Sequence, residues 1–541
     1  MALPFILDMV HHNPAEALIE SEFNNPAYLA KLGYTGQVIN DFSFVHCTAL
    51  FNDFDASICP PGSPQSAWAE QTAASASKRI ALCKKSGISA YFFIDIAVLP
   101  KLLVENYQSE ICDTQGHISL HRPLTLEIHR VMFREIFTTF PDLDGLVIRT
   151  GETYLHNVPY HTGNNPITQA EESHIILINL LRQEVCEKLG KIIFYRTWDA
   201  DQFHVKPEYY LNVTNTIAPH ENLIFSIKHT AGDFHRTLGF NPTLGIGKHR
   251  QIVEIQCQRE FEGKGSYPNY IAHGVIEGFE ETKKALPPRG LRDLLKNPLF
   301  CGIWTWSRGG GWKGPYIKNE FWCTVNARVL SSFAQHPDQN EKKLFYDSIS
   351  TLGFSKNDTR YLRKICLLSA AAIIRGRLSV RSPIFVWWMR DHFLGGLNEL
   401  GPSFEKILSA KKECSIIREK EYSVKLWKKM SKYSEKIKVQ DSALNNYFQS
   451  TVQYGLLLYQ IIAAAWTILI YGMKGDKTGV YNKKIIRKTI LQYDALWELY
   501  HSLSVSKSPA TPYLPYAFVF KAPEYHNEHG MKESVDLYRE I

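Results

Sequence analysis

The sequence repeats one pattern eight times in its first 330 residues: a short run of β-branched and aromatic residues, a polar loop and a helical stretch. The runs are nearly continuously apolar, as expected for strands of a parallel sheet covered on both faces. We place strands at Pro4–Asp8, Gly36–Asn40, Ser89–Ile96, Gly145–Arg149, Lys191–Arg196, Asn222–Lys228, Ile252–Gln258 and Leu299–Trp304. Helices between them include Ala15–Leu32, Trp68–Ser86, Leu124–Phe140 and Thr168–Leu189. Eight such units close a barrel, and no glycine-rich dinucleotide turn follows the first run, so we predict an α/β chain with a (β/α)8 TIM barrel over residues 1–335.

The pattern changes after about residue 330, where strand-like runs largely stop and helical periodicity with frequent Trp and Tyr takes over. The predicted helices here are Lys342–Ser350, Thr359–Arg375, Phe404–Tyr433, Asn446–Tyr471 and Lys484–Leu503. A chain of 541 residues is also longer than one hydrophobic core usually serves. We therefore expect an all-α C-terminal domain over residues 336–541.

Composition and charge narrow the classes of function. The net charge of +7 comes from 61 basic and 54 acidic residues that are interspersed, so neither nucleic acid nor a membrane surface is a predicted partner. The ten cysteines form no C-x-x-C pair, and we predict neither a metal nor a cofactor. The apolar stretch 455–472 contains Gln460 and is predicted to be a buried helix rather than a membrane span. No signal peptide is visible at the start, so a cytoplasmic or periplasmic location is expected.

Charged residues follow the predicted strands at their carboxyl ends, which in a (β/α)8 barrel face one shared funnel where the active site lies. Glycosidic cleavage needs paired carboxylates, one to protonate the leaving oxygen and another to activate water or attack. The carboxylates on strands four, six and seven supply such a set: Glu152, Asp233 and Glu260. The sequence therefore predicts a glycoside hydrolase.

Cations and aromatic residues at the same strand ends suggest the kind of sugar. Arg149, Arg196 and Lys228 converge there, and cations aimed into one pocket repel one another unless an anion joins them. The tryptophans of strands five and eight offer apolar faces on which sugar rings stack: Trp198, Trp304 and Trp306. An anionic sugar is the substrate that this combination favours.

Several segments resemble the α-glucuronidases of glycoside hydrolase family 67. They are Gly36–Asp41, Asp144–Glu152, Ile227–Phe234, Val253–Gly263, and a stretch that runs from Trp312–Pro315 through Asn326–Leu330 to His336–Asp338. The resemblance implies that Glu152 is the general acid and that Asp233 and Glu260 hold and deprotonate water in an inverting mechanism. It implies that Arg196 and Lys228 clamp a uronic acid carboxylate, with Arg149 near the place where the family usually has a lysine. Asn40, from the first segment, joins the predicted substrate-binding residues.

The resemblance also implies a substrate and an assembly. The expected substrate is a plant- or algal-type oligosaccharide bearing a uronic acid. In the family this is glucuronic acid, or its 4-O-methyl ether, linked α-1,2 to the terminal xylose of xylan fragments. The helical domain resembles a region that supports dimers in the family, so a homodimer through this domain is a further expectation.

Two other readings of the same residues stay open. The first is a metal-dependent barrel enzyme, in which hard-cation ligands would be Glu152, Asp199, Asp233 and Glu260, or in which a hydrolase metal centre would use His11, His12, His204 and His229. The His-x-His spacing that such centres favour is missing. The second is a barrel that binds glycan without cleaving it, which would keep its affinity when Glu152 is replaced.

Overall fold

The eight apolar runs form eight parallel strands that close into a barrel in the computed structural model, which describes residues 1–13, 16–41, 44–199, 202–311, 317, 319–382, 394–505 and 530–541. The strands are β1 (Phe5–Val10), β2 (Gly36–Ile39), β3 (Ser89–Asp95), β4 (Gly145–Arg149), β5 (Ile192–Arg196), β6 (Leu223–Lys228), β7 (Arg250–Gln256) and β8 (Phe300–Arg308). Each strand pairs with its successor in the chain, and β8 pairs with β1 to close the barrel. The predicted (β/α)8 barrel and the helical region after it are both confirmed.

The strands are mostly apolar because both of their faces are covered. Successive side chains of a strand point to opposite faces. Leu7 of β1 packs with residues that fill the barrel interior, whereas its neighbour Ile6 packs in the larger core under the helices. The same alternation holds for Val147 and Ile148 of β4. The charged residues near the strand ends follow this alternation too, and it decides which of them point into the barrel.

Helices cover the barrel and build the second domain. The described helices are α1 (Pro26–Lys31), α2 (Asn52–Asp55), α3 (Pro64–Lys85), α4 (Lys101–Asn106), α5 (Gln108–Ile111), α6 (Pro123–Thr139), α7 (Ala170–Leu181), α8 (Gln202–Val205), α9 (Pro207–Asn215), α10 (Ala272–Glu277), α11 (Leu291–Leu294), α12 (Phe321–Gln335), α13 (Glu341–Ser350), α14 (Lys356–Arg377), α15 (Leu397–Ser409), α16 (Glu413–Ser434), α17 (Ser442–Thr478), α18 (Lys483–Val505) and α19 (Met531–Asp536). A π-helical turn, Arg182–Lys188, extends α7, and a small antiparallel ribbon joins Val98–Pro100 to His161–Gly163.

Two predicted helices differ from the structure. The helix predicted over Ala15–Leu32 is wrong for most of its length, because among the described residues of this stretch only a 3-10 turn, Glu22–Asn24, and the short α1 are helical. Asn25 caps α1 through its side chain and Pro26 occupies the first turn, so the chain carries a helix start signal at 25 and not at 15. The helix predicted over Phe404–Tyr433 is divided into α15 and α16.

The helical domain is organised around α17. This helix of 37 residues is long and apolar enough to cross a membrane, but 72% of its most apolar window is buried in the protein, in agreement with the predicted buried helix. Gly455 of α17 lies against the indole of Trp427, where a Cβ atom would stand 2.3 Å from the ring. The glycine is therefore a packing requirement in the middle of the domain. The boundary at residues 335 and 336 stays a prediction.

The helical domain contacts the loops at the carboxyl ends of the barrel strands. Tyr267, in the loop after β7, hydrogen-bonds through its hydroxyl to that of Tyr459 on α17 at 3.1 Å. Arg236, in the loop after β6, donates to the carbonyl of Ala370 on α14 at 2.9 Å. The second domain thus supports the end of the barrel at which the site is expected.

Candidate active site

A cleft of about 530 Å³ opens at the carboxyl ends of the barrel strands. This volume falls within the range of about 300–1,000 Å³ that is usual for ligand sites. Every barrel strand except β2 contributes to its lining, either directly or through the loop that follows. The lining residues are His11, Asn13, Phe93, Arg149, Glu152, Tyr154, Arg196, Trp198, Lys228, Asp233, Glu260, Trp306, Gly310 and Gly311. The three predicted catalytic carboxylates therefore share one cleft with the three predicted cations.

Arg149 is paired with a carboxylate that the sequence analysis did not single out. It lies opposite Asp95 in the register of β4 and β3, and both side chains point into the barrel. Nε and Nη2 of Arg149 donate to the two oxygens of Asp95, each at 2.5 Å. Asp95 also accepts the backbone N–H of Tyr154 at 3.1 Å, and the Tyr154 ring lies 4.1 Å from the guanidinium carbon. This arrangement fixes Arg149 in the cleft wall.

Arg196 is held in the same way by Glu254, which is fully buried inside the barrel. Nε and Nη2 of Arg196 donate to the two carboxylate oxygens, each at 3.0 Å. The hydroxyl of Ser226 donates to the same carboxylate at 2.9 Å. Burying either ion alone would be costly, so the pair is a structural unit at the top of the barrel interior.

Lys228 forms an ion pair with Asp233, and both side chains line the cleft. The Lys228 ammonium also lies 4.0 Å from the centre of the Trp198 ring and 4.7 Å from that of Phe234. Such cation–aromatic contacts stabilise an ammonium that is largely removed from water. Lys228 thus connects a predicted catalytic carboxylate to a predicted aromatic platform.

Because each of the three cations is paired with a carboxylate, the cleft has no excess of positive charge. Its three cations face five carboxylates, namely the three that line it and the buried Asp95 and Glu254 behind it. With every group ionised the sum is 3 − 5 = −2. Each arginine nevertheless keeps Nη1, on the edge opposite its carboxylate, which makes no hydrogen bond to any described residue. Fixed arginines can therefore bind a ligand through hydrogen bonds. A ligand that brings a further negative charge requires either that a carboxylate of the cleft takes up a proton or that a cation exchanges its carboxylate for that of the ligand.

Glu260 lies at the start of the turn after β7 and is almost fully buried. It exchanges two hydrogen bonds with the side chain of Gln256: Nε2 of Gln256 donates to the Glu260 carboxylate at 3.1 Å, and the backbone N–H of Glu260 donates to Oε1 of Gln256 at 2.8 Å. Gln256 is the last residue of β7, so the strand itself orients this carboxylate.

Glu152 is different, because it is exposed at the rim of the cleft. It follows Gly151, whose φ of 81° is a left-handed conformation that favours glycine. A Cβ atom at this position would also lie 2.7 Å from Cα of Asp199. The tight turn carries Glu152 out of β4 towards solvent. Burial, together with the neighbouring Glu152 carboxylate, raises the pKa of the Tyr154 phenol.

His11 is a lining residue that sequence reasoning considered only as a metal ligand. Its ring stacks on that of Trp306 with centroids 4.8 Å apart and planes at 4°. Burial, and then the positive charge of Arg149, hold the pKa of His11 well below its ordinary value of 6.5, so the imidazole is neutral. The sequence signal that could have identified His11 and Asn13 as lining residues is their position just after β1.

Two predicted substrate-binding residues do not line the cleft. Trp304 is fully buried and contacts the rings of Phe93 and Trp306 inside the barrel, so the expectation that it stacks on a sugar is wrong. The reason is that β8 continues to Arg308, which places Trp304 in mid-strand. Asn40 follows β2 and is half-buried outside the lining. Trp306 does line the cleft, but His11 covers one of its faces.

Metal ligation has little support in the geometry. Among the described residues, no group of three or more His, Cys, Asp or Glu side chains is arranged to hold an ion. Asp199, one of the alternative ligands, pairs instead with His174 at 3.4 Å. The segment Trp312–Pro315, which belongs to the family resemblance, lies outside the described residues.

Comparison with known proteins gives a likeness of fold. No protein-family model matches the chain, and no curated protein matches it either. A GH138 enzyme, described as targeting pectin rhamnogalacturonan II, superposes with a TM-score of 0.59 at 12% identity, over 99% of this chain and 67% of that chain. An O-GlcNAc hydrolase from Thermobaculum terrenum aligns over 99% of this chain and 94% of its own with a TM-score of 0.43 at 9% identity. The first likeness shows a shared fold, and membership of family 67 stays a prediction.

Proposed function

We propose that this protein is a glycoside hydrolase whose reaction takes place in the cleft at the top of the barrel. The observation that carries the proposal is the meeting of Glu152, Asp233 and Glu260, from three different strand ends, in one cavity of suitable size. The surroundings of the three carboxylates differ. Glu152 is exposed at the rim, whereas Asp233 and Glu260 are buried and held by polar partners.

In the proposed reaction, Glu152 protonates the leaving oxygen, and the exposed rim leaves room for the departing part of the glycan. Asp233 and Glu260 hold a water molecule on the other side of the sugar and remove its proton, which gives an inverting mechanism. Gln256 orients Glu260, and before substrate binds Lys228 holds Asp233 in place. Arg149 and Arg196, fixed by their carboxylates, donate from Nη1 to sugar oxygens.

We further propose that the sugar is a terminal uronic acid. Its carboxylate replaces Asp233 as the partner of Lys228, and this exchange releases Asp233 to activate water. The charge sum favours the exchange when Glu152 carries the proton that it later delivers, because the cleft then holds one negative charge fewer. A neutral sugar provides no such exchange, so the proposal predicts a strong preference for the charged substrate.

The decisive experiment offers the protein a panel of oligosaccharides and identifies the sugar released by NMR, which also gives its anomeric form. The panel contains uronate-bearing xylan fragments, their neutral counterparts, and pectic fragments, because the neighbour of similar fold is described as targeting pectin rhamnogalacturonan II. Release of free uronate with inverted configuration is expected. Release of a neutral sugar would overturn the uronate proposal and leave the hydrolase proposal standing. Loss of activity after exhaustive chelation would support the metal-dependent alternative instead.

Glu152→Gln tests the role of the general acid. Turnover of natural glycosides should fall by about 100- to 10,000-fold, since this is the usual contribution of proton transfer by a positioned group. Aryl glycosides with good leaving groups should be spared, because they need little protonation. Glu127→Gln, an exposed glutamate on α6, is the control and should behave as wild type. Equal rates of Glu152→Gln and wild type on both kinds of substrate would rule out this role.

A further inference from the structure

Left-handed backbone conformations of non-glycine residues concentrate in the two loops that carry Asp233 and Glu260. Asp233 has φ 46°, Arg259 has φ 59° and Lys264 has φ 48°. Such conformations are unfavourable for residues with a Cβ atom, and they persist where surrounding contacts over-determine the backbone. Two loops that are strained at their functional residues therefore need a strong local restraint.

Arg259 is placed to provide that restraint. Its side chain is almost fully buried, and it precedes the proposed catalytic residue Glu260 in the loop after β7. Nη2 donates at 2.7 Å to the carbonyl of Phe234, the residue next to Asp233 in the loop after β6. Nη1 lies 3.4 Å from Nε2 of His229, at the start of that same loop. One guanidinium thus connects the immediate neighbours of both carboxylates.

Glu262 completes the connection. It forms an ion pair with Arg259, accepts a hydrogen bond from the Asn269 amide at 2.8 Å, and lies 3.8 Å from a guanidinium nitrogen of Arg236. Burial alone would raise the pKa of Glu262, but the charges of Arg259 and Arg236 outweigh it and lower the pKa to about 2. The carboxylate is therefore ionised throughout the working range of pH and holds both arginines.

The connection extends to the helical domain through Arg236. This residue of the β6 loop pairs with Glu281 at 2.7 Å and donates to the carbonyl of Ala370 on α14 at 2.9 Å. Its guanidinium carbon also lies 4.2 Å from the centre of the Phe279 ring. One buried network of ion pairs and hydrogen bonds thus connects the β6 loop, the β7 loop and α14.

We propose that Arg259 and Glu262 form a cross-loop brace that sets the position of Asp233 relative to Glu260, anchored on the helical domain through Arg236. Arg259 and Glu262 are positioning residues, since neither lines the cleft. The catalytic consequence rests on the proposed function, whereas the mechanical connection between the loops does not.

The mechanical connection is tested without substrate, by amide hydrogen exchange in wild type, Arg259→Lys and Arg250→Lys. Lysine keeps the charge but cannot reach both Phe234 and Glu262 with a planar fork. In Arg259→Lys, exchange should accelerate in both 229–239 and 257–269. Arg250, at the opposite end of β7, is the control, and its replacement should leave both segments unchanged. Acceleration confined to 257–269 would overturn the brace.

Glu262→Gln is the second variant, because it preserves shape and side-chain volume if Arg259→Lys fails to fold. It should accelerate exchange in the same two segments, and the double variant should add little to either single change, since residues of one network are not additive. Additive effects of the two changes would show that they act separately and would overturn the brace.

The catalytic consequence is measured by steady-state kinetics on the substrate that the wild type cleaves. Arg259→Lys should lower kcat by about 100-fold, the loss that a misplacement of about 1 Å produces, while KM changes little because the cleft cations remain. An unchanged kcat together with loosened loops would remove the positioning role. A wild type that cleaves no glycoside would refute the proposed function, and the exchange experiment would still decide the brace.

Discussion

The top of the barrel and the core of the helical domain around Lys420 bury ionisable groups in different ways. At the top of the barrel, arginines and lysine are matched one by one with carboxylates, as Arg196 is with Glu254. In the helical domain, the buried Lys420 donates to the backbone carbonyls of Arg375 and Leu378 and lies 3.7 Å from the centre of the Trp466 ring. The first arrangement fixes charged side chains around a cavity, and the second satisfies the end of a helix inside an apolar core.

The difference shows what the buried charges of the barrel are for. Buried ion pairs seldom stabilise a protein more than apolar residues of the same volume would. Their concentration at the end of the barrel is therefore better explained by the need for fixed donors and acceptors in the cleft than by stability. The helical domain also buries an ion pair, Arg363 with Glu341, but neither residue lines the cleft, and this domain supports the cleft from outside.

Glu254→Gln should have the largest effect on stability, because it leaves the Arg196 guanidinium buried without its carboxylate. We expect the free energy of unfolding to fall by about 3–5 kcal/mol, measured by urea denaturation at constant pH. The double variant Arg196→Met/Glu254→Met removes both charges and should recover most of the loss while remaining inactive. If the double variant is as unstable as Glu254→Gln, the pair contributes to stability and the contrast between the two regions is wrong.

The fold was predictable because its signal is repeated eight times. Strands with both faces covered are apolar at most positions, as at Leu7 and Ile6, so the runs stand out in the sequence. The carboxyl ends of the predicted strands then identified most of the residues that line the cleft. The helix predicted from Ala15 failed, because polar and apolar residues alternate there without the caps that Asn25 and Pro26 supply later.

The partners of the cations were missed because they lie inside apolar runs. Asp95 ends the run SAYFFID and Glu254 lies within the run IVEIQ, where each looks like an interruption of a strand. A usable signal existed, since a charged residue in a strand covered on both faces must be paired. Which cation it pairs with depends on the register, as between Asp95 and Arg149, and a single sequence does not contain that information.

The pH dependence of stability that comes from Asp8 of β1 is a second test of the comparison between the two regions. Its side chain points out of the barrel interior and accepts hydrogen bonds from the hydroxyls of Thr305 and Ser307. Burial raises its pKa from 3.8 to about 7, although these hydrogen bonds lower it. The folded state therefore keeps a proton that the unfolded state has lost, so the stability from this group is present below pH 3.8 and is lost as the pH rises through 7.

The measurable effect is a fall of about 2 kcal/mol in the free energy of unfolding between about pH 5 and pH 7. Asp8→Asn imitates the protonated acid and should remove that part of the slope. Asp144→Asn, at a half-buried aspartate that pairs with Lys84, is the control and should retain it. An identical slope in Asp8→Asn and wild type would mean that Asp8 titrates normally and that the barrel wall tolerates an unpaired charge.

Lys420→Met should have the smallest effect, about 1 kcal/mol in the free energy of unfolding at about pH 8, because lost hydrogen bonds to two carbonyls are offset by the removal of a buried amine. Burial lowers the pKa of Lys420 from 10.5 to about 7. The contribution of Lys420 to the free energy of unfolding is therefore present above pH 10.5 and is lost as the pH falls through 7. This pH dependence has the opposite sign to that of Asp8, and Lys420→Met should abolish it. A loss as large as that of Glu254→Gln would show that the helical domain depends on its buried lysine as much as the barrel depends on its buried ion pairs, and the contrast from which these predictions start would fail.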